Sequence, residues 1–284
     1  MNIQKSFSDN QATLFLVSTP IGNLSDMTPR AVETLKSVEL IASEDTRITR
    51  KLCNHFEIDT TLTSYHEHNK NTKTDLILER LASGDNVALV SDAGMPLISD
   101  PGDQLVKRAL AAGFAVVPIP GANAALTALV ASGLAPQPFL FYGFLARQKN
   151  QRKTELDSLK TLKATLIFYE SPHRIKETLV AMKEILGDRQ VVVARELTKM
   201  FEEFLRGSVT EILDYLTEVK GEVVLLVEGN SDEPTVDAWW ESLSLPEHVQ
   251  HYLDEDLKPN AAIKQVAADL GRPRQDVYKE YHNE

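Results

Sequence analysis

A single cysteine, Cys53, stands in a chain of 284 residues. One cysteine excludes an intramolecular disulfide and a cysteine-rich zinc site, and it fits a reducing compartment. No apolar run approaches the roughly 18–20 residues that a membrane-spanning helix needs. Glycine and proline number 13 each, charged residues make up 25% and hydrophobic ones 43%, which excludes collagen-like, low-complexity and wholly disordered chains. The opening, MNIQKSFSDNQATLFLV, has one lysine and a short apolar stretch, so it does not read as a secretory leader, and a soluble cytoplasmic protein is expected. Three nucleotide and hydrolase signatures are also missing. There is no G-x-G-x-x-G after a strand, no Walker A loop and no G-x-S-x-G elbow, which argues against a Rossmann dehydrogenase, a P-loop kinase and an ordinary α/β-hydrolase.

Charge is unevenly spread. The net charge is -11, yet residues 201–284 alone carry 19 acidic against 7 basic side chains. Within 147–183 the balance reverses, with 9 basic and 4 acidic residues. The whole-chain value therefore does not exclude a polyanionic partner for one surface.

Short apolar runs alternate with helical patterns nearly to residue 228. They are TLFLV (13–17), VELIA (38–42), VALVS (87–91), AVVPI (115–119), FLFYGF (139–144), ATLIFY (164–169), QVVVA (190–194) and EVVLLVE (222–228). Their length and Val/Ile/Leu/Phe content predict buried strands, and the class is α/β. Thr28–Pro29 and Asp100–Pro101 each read as a capping residue before a first-turn proline, and Ser208 with Glu211 has capping-box spacing. Eight strands are many for one small sheet. The proline-rich APQPF, 135–139, suggests a boundary near 120–138, and GNSDEPT, 229–235, suggests a second. The expected domains are 12–120, 121–230 and 238–284. The last has no strand-like run. Ala262, Val266 and Leu270 share a helix face, Gly271 reads as a helix end and Pro273 starts a further helix, as in a helix-turn-helix.

Three glycine-proline loops follow strand ends: VSTPIGNLSDMT (17–28), VSDAGMPLISDPG (90–102) and VPIPGANAALTAL (117–129). Loops beyond the carboxyl ends of strands are where open α/β sheets bind ligands, and small residues there let backbone approach a ligand. Taken one at a time they are also ordinary turns.

These loops, together with IASEDTR, SYHEHN, IFYESPHRI and ARELTKMFEEF, resemble the rRNA branch of the tetrapyrrole-methylase superfamily over residues 12–284. The resemblance implies a class III methyltransferase fold of two α/β domains with S-adenosyl-L-methionine in the cleft between them, as a homodimer. It also implies methyl transfer to the ribose 2′-hydroxyl of a cytidine in small-subunit (16S) rRNA, within the ribosomal subunit. The first loop reads Ser18-Thr19-Pro20-Ile21-Gly22 and the second Ser91-Asp92-Ala93-Gly94-Met95-Pro96. Both depart from the porphyrin and corrin methylases and put a tetrapyrrole substrate in doubt. By resemblance, Pro20, Asp92, Ala93, Gly94, Ile98, Gly121, Ala122 and Ala124 line the cofactor, and Glu170, Ser171, Ala194 and Leu197 close it.

Such a reaction needs no metal but does need a proton acceptor. Glu44, Asp45, Glu170 and Glu196 are carboxylates just past strands, of which Glu170 and Glu196 are the candidates carried forward. His66 and His68, two residues apart with no further ligands, make a weak metal pair and fit RNA contact or a plain surface role better. Arg47, Arg174, Arg195 and Lys199 stand near the motifs and could hold phosphates, as could Arg147, Lys149, Arg152 and Lys153 in RQKNQRK. Tyr142, Phe144 and Tyr169 are candidates for stacking on a base. Two other readings stay open: a class III methyltransferase of a small molecule or protein, and a non-catalytic nucleic-acid-binding module built on the tail.

Overall fold

The structure, a computed structural model, describes residues 4, 12–217, 219–231 and 239–282. Most of the opening segment, residues 232–235 of the second expected boundary, and residue 238 lie outside the described residues. Contacts divide the chain into two units, 1–230 and 231–284.

The first unit holds two five-stranded sheets. The first is built from β1 (Thr13–Val17), α1 (Pro29–Ser37), β2 (Leu40–Ser43), α2 (Thr46–His55), β3 (Thr61–Ser64), α3 (Lys70–Ala82), β4 (Val87–Val90), α4 (Asp103–Ala111) and β5 (Ala115–Ile119). All its pairings are parallel, in the order β3-β2-β4-β1-β5. Buried β2 and β4 are apolar on both faces, as helix-covered parallel strands must be. The chain leaves β1 toward β2 but leaves the neighbouring β4 toward β5, so the two connections pass each other on opposite faces of the sheet, with α1 in one core and α4 in the other.

The second sheet follows α5 (Ala124–Ser132) and contains β6 (Phe139–Phe144), α6 (Lys149–Leu159), β7 (Thr165–Glu170), α7 (Ile175–Leu186), β8 (Gln190–Arg195), β9 (Glu203–Ser208), α8 (Val209–Tyr215) and β10 (Val223–Val227). Its order is β6-β7-β10-β8-β9. Only β6–β7 is parallel; the other three pairings are antiparallel. Ala125, Ala128 and Leu129 of α5 pack with Ile167, Val192, Val224 and Leu226 of this sheet.

Several local expectations are visible in the geometry. Thr28 accepts from the Ala31 amide at 3.2 Å, and Ser208 with Glu211 forms a capping box. Asp100 is a correction. Helix α4 starts at Asp103 with Gly102 as its N-cap, so Asp100 caps nothing. Strands β3 and β9 were not foreseen. Both lie on sheet edges, and TLTS and EFLRGS are too polar to read as buried runs.

The second unit contains α9 (Leu245–Asp254), α10 (Pro259–Asp269) and α11 (Arg274–His282). Val249, Ala262, Ile263, Val266, Ala267 and Val277 form its core. Leu270 is the C-cap of α10 and Gly271 follows at φ +62°, a left-handed turn that suits glycine. Asp269 holds the bundle internally, accepting from the Tyr252 hydroxyl at 2.6 Å and lying 3.0 Å from the buried His248 ring.

Candidate active site

The loops after β1, β4 and β5 are fastened to one another. Thr19 and Gly94 exchange backbone hydrogen bonds of 2.9 and 3.0 Å, and the Ser18 hydroxyl donates to the Ile119 carbonyl at 3.1 Å. Gly94 has φ +83°, and a Cβ there would lie 3.3 Å from the Ile21 side chain. Gly121 is needed for a different reason: a Cβ on it would come within 2.7 Å of the Ser18 Cβ. It closes the loops on each other and does not line the cavity.

Beyond these loops lies a cavity of about 400 Å³, within the usual range for small-ligand sites. The first half of the chain contributes Asp92, Ala93, Gly94 and Ile98, and Ala124 begins α5 beside them. Glu170, Ser171 and Leu197 stand opposite, at the ends of β7 and β8. Eight of the twelve residues expected around a cofactor therefore share one cavity. Pro20 lines a neighbouring cavity of about 370 Å³, separated by a wall that includes Ile21, Asp92, Ala93 and Glu222. Gly121 and Ala122 are not among the lining residues. Ala194 is fully buried in the core beneath α5, so its side chain does not reach the space.

Sequence reasoning missed Asp100, Asn123 and the stretch Gly221–Val224. Asp100 was read as a helix cap. The start of β10 was missed because β10 runs antiparallel to β7 and β8. Its amino end, Val223, thus lies beside Glu170 and Arg195 at their carboxyl ends. Phe144 and Tyr169, proposed as stacking residues, line the cavity in edge-to-face contact, with ring centroids 5.7 Å apart. Tyr142 instead packs beside the core of the second sheet.

The carboxylates differ sharply. Glu170 is turned inward, accepting from its neighbour Ser171 N at 2.7 Å and from the Thr178 hydroxyl at 2.6 Å, with Arg174 at 3.6 Å. It ties β7 to α7. Glu196, at φ +49°, accepts from Lys199 and from the Glu222 amide at 2.9 and 3.1 Å. The Lys199 ammonium holds its carboxyl below the usual range, which makes it a poor proton acceptor. Burial raises Asp92, which accepts from the Asp45 amide at 3.0 Å. Glu44 is also raised, first by burial and then by Asp92. Asp100 is pushed up to about 6 by burial, with Glu44 and Asp92 adding to the effect and the Ser91 hydroxyl opposing it.

The expected RNA-binding cations also separate. Arg147 and Lys149 are exposed at the start of α6. Arg152 is a correction: its side chain is only 4% exposed, since α6 lays it against α7, where it meets Glu177 at 3.4 Å. A buried guanidinium cannot reach an RNA backbone. Lys153 pairs with Glu184, and Arg195 with Glu203. Arg174 donates to the Leu145 and Ala146 carbonyls at 3.1 and 3.0 Å. Lys199 bridges Glu196 and Glu222. Arg47 is exposed and folded back on Asp45 at 2.6 Å. The His66 ring faces Asn69 at 3.2 Å, and His68 is exposed, its ring centroid 6.0 Å from that of His66. Among the described residues no group of three or more His, Cys, Asp or Glu side chains could hold a metal, and no helix is long and apolar enough to cross a membrane.

Comparison with known proteins agrees with this architecture. A ribosomal RNA small subunit methyltransferase I of Bacillus subtilis (strain 168) is 55% identical over 285 residues, covering 98% of each chain. One from Halalkalibacterium halodurans is 56% identical over 290 residues, covering 100% of each. Among solved structures, a diphthine synthase superposes with a TM-score of 0.60 at 14% identity, over 78% of this chain and 92% of its own, a likeness of fold alone. The family model for tetrapyrrole (corrin/porphyrin) methylases matches residues 13–213, and it is to this methylase family that the chain, with its two sheets and the cavity at their loop-bearing edges, belongs.

Proposed function

We propose that this protein is an S-adenosylmethionine-dependent methyltransferase that modifies the ribose 2′-hydroxyl of a cytidine in 16S rRNA, presented within the small ribosomal subunit. The observation that carries the reading is the end-to-end likeness to relatives named for small-subunit rRNA methylation, which extends through the helical tail. A small-molecule methylase of the same fold gives no reason for that tail.

The cavity fits a sulfonium donor. The Asp92 carboxylate complements a cationic ligand, while Ile98, Leu197 and Tyr169 offer apolar surface for an adenosine. Closely fastened Gly94 leaves backbone, not side chain, against that space. Bound S-adenosylmethionine would supply an activated methyl group and its own leaving group. The protein's part is to hold the hydroxyl in line with that methyl, exclude water and accept a proton. Ala93, Gly94 and Ala124 give close backbone approach, and the Glu170 tie to Thr178 fixes the opposite wall. The folded chain is taken to work as a cytoplasmic homodimer, with 12–120 and 121–230 as its catalytic domains and 238–284 as a substrate-engaging domain.

The test supplies donor labelled in its methyl group with small ribosomal subunits, protein-free rRNA and small-molecule acceptors in parallel. Label should enter the rRNA of assembled subunits most readily. Preferential labelling of a small molecule or a protein would reject the reading.

A further inference from the structure

Four carboxylates line the cavity: Asp92, Asp100, Glu170 and Glu222. Three are already committed. Glu170 accepts two hydrogen bonds within its own wall, Glu222 pairs with Lys199 at 2.9 Å, and Asp92 accepts from the Asp45 amide at 3.0 Å. Asp100 has neither a cation nor a backbone amide as partner among the described residues. Only the Ser91 hydroxyl, which also donates toward the Ala93 and Gly94 carbonyls at 3.3 and 3.2 Å, bears on it as a donor.

Its placement is unusual. Leu97 and Ser99 both hold left-handed backbone, at φ 73° and 69°, without being glycine. Such conformations persist where the surroundings over-determine them, and they gather at active sites. The loop between β4 and α4 spends that strain immediately before Asp100, and α4 does not use the carboxylate as a cap.

We propose that the Asp100 carboxylate is the catalytic residue that takes the proton from the substrate hydroxyl as it is methylated. The assignment rests on the methyltransferase reading above. The hydroxyl oxygen gains the methyl carbon, leaving the carbon–sulfur electron pair on sulfur, and gives its proton to an Asp100 oxygen. A sulfonium, an alcohol and a carboxylate become a thioether, an ether and a carboxylic acid, so charge and atoms balance. The titratable groups facing Asp100 are Glu44 from the end of β2, Asp92 from the end of β4 and Tyr169 from β7. None is cationic, so nothing quenches its basicity. An acid held at about 6 is ionised at neutral pH and is a stronger base than an ordinary carboxylate.

Single-turnover methyl transfer to small subunits, at donor well below saturation so that the rate reports the free protein, should be measured against pH for wild type, Asp100→Asn and Asp100→Glu, with donor affinity by calorimetry and the Asp100 carboxyl titrated by NMR in the ligand-free protein. The Asn variant should bind donor within about threefold of wild type but transfer methyl about 10²-fold or more slowly, and the Glu variant should recover part of that rate. Wild-type rate should rise about tenfold per pH unit up to a midpoint near 6 that coincides with the carboxyl titration, and the Asn variant should lose that limb. An Asn variant as fast as wild type, or one that keeps the acid limb, overturns the assignment. If the Asn variant does not bind donor, the wild-type comparison decides: a rate midpoint displaced from the carboxyl titration overturns it as well. Wild type that leaves rRNA unlabelled overturns the function itself, whereas active wild type with an equally active Asn variant overturns only the acceptor.

Discussion

Asp100 imposes a stability cost that its chemistry explains. Its ordinary value is 3.8 and its folded value is about 6, so between these the folded chain holds more protons than the unfolded one. Stability contributed by this group therefore falls as pH rises through that window, and the full cost is present above about 6. Asp100→Asn should raise Tm at pH 8 by about 2 °C, and the gain should vanish near pH 4, read by calorimetric melting at both pH values. A gain that persists at pH 4 would mean that the charge is not its source. The sequence named this residue and misjudged it, because Asp-Pro at a helix start ordinarily means a cap; only the two-residue displacement of the N-cap of α4 from Asp100 to Gly102 releases the side chain. Gly94 was more legible, since a glycine in a loop after a strand announces close backbone approach. Asp92→Ala should weaken donor binding by about tenfold through lost charge complementarity, and Gly94→Trp should abolish it by filling the cavity, with the fold retained by circular dichroism. Wild-type affinity in both variants would remove the cavity from consideration.

At the scale of elements, the legible strands are those whose chemistry is one-sided. β1, β2, β4, β7, β8 and β10 are apolar because helices or a second layer cover both faces, and the edge strands β5 and β6 still show as apolar runs. Edge strands β3 and β9 carry Thr, Glu, Arg and Gly, and no single-chain pattern marks them. Helix α6 shows the same limit for function. RQKNQRK reads as one basic patch, but helical spacing turns Arg152 into the core while Arg147 and Lys149 face solvent. If the patch holds an RNA backbone, replacing Arg147 and Lys149 should weaken subunit binding and lower the salt slope of log K by about 2 units, with donor affinity unchanged. Arg152→Met should leave that slope alone. It removes two guanidinium nitrogens that have no hydrogen-bond partner, so Tm should hold or rise. A reduced slope in Arg152→Met would contradict its burial.

At the scale of the molecule, every residue assigned to the cavity lies before 230, and the chain divides at that point into two units. The change was visible in the sequence as an abrupt loss of strand-like runs after Gly229, and the helix-turn-helix spacing foresaw α10, Gly271 and α11. No RNA-binding face was legible on this unit, because its acidic composition gives no phosphate-binding stripe. Truncation after Ser231 should leave a folded protein that binds donor with wild-type affinity but methylates small subunits at least about tenfold more slowly. Lost donor binding in a folded truncation would place the tail in the active cavity, and full activity would make it dispensable.

The central claim concerns the acceptor atom, and one measurement addresses it most directly. Small subunits labelled by wild-type protein are digested to nucleosides, and the labelled species is identified by mass. The label should reside in 2′-O-methylcytidine, with little in any other nucleoside. Label on a base, or on the ribose of another nucleoside, would contradict the assignment.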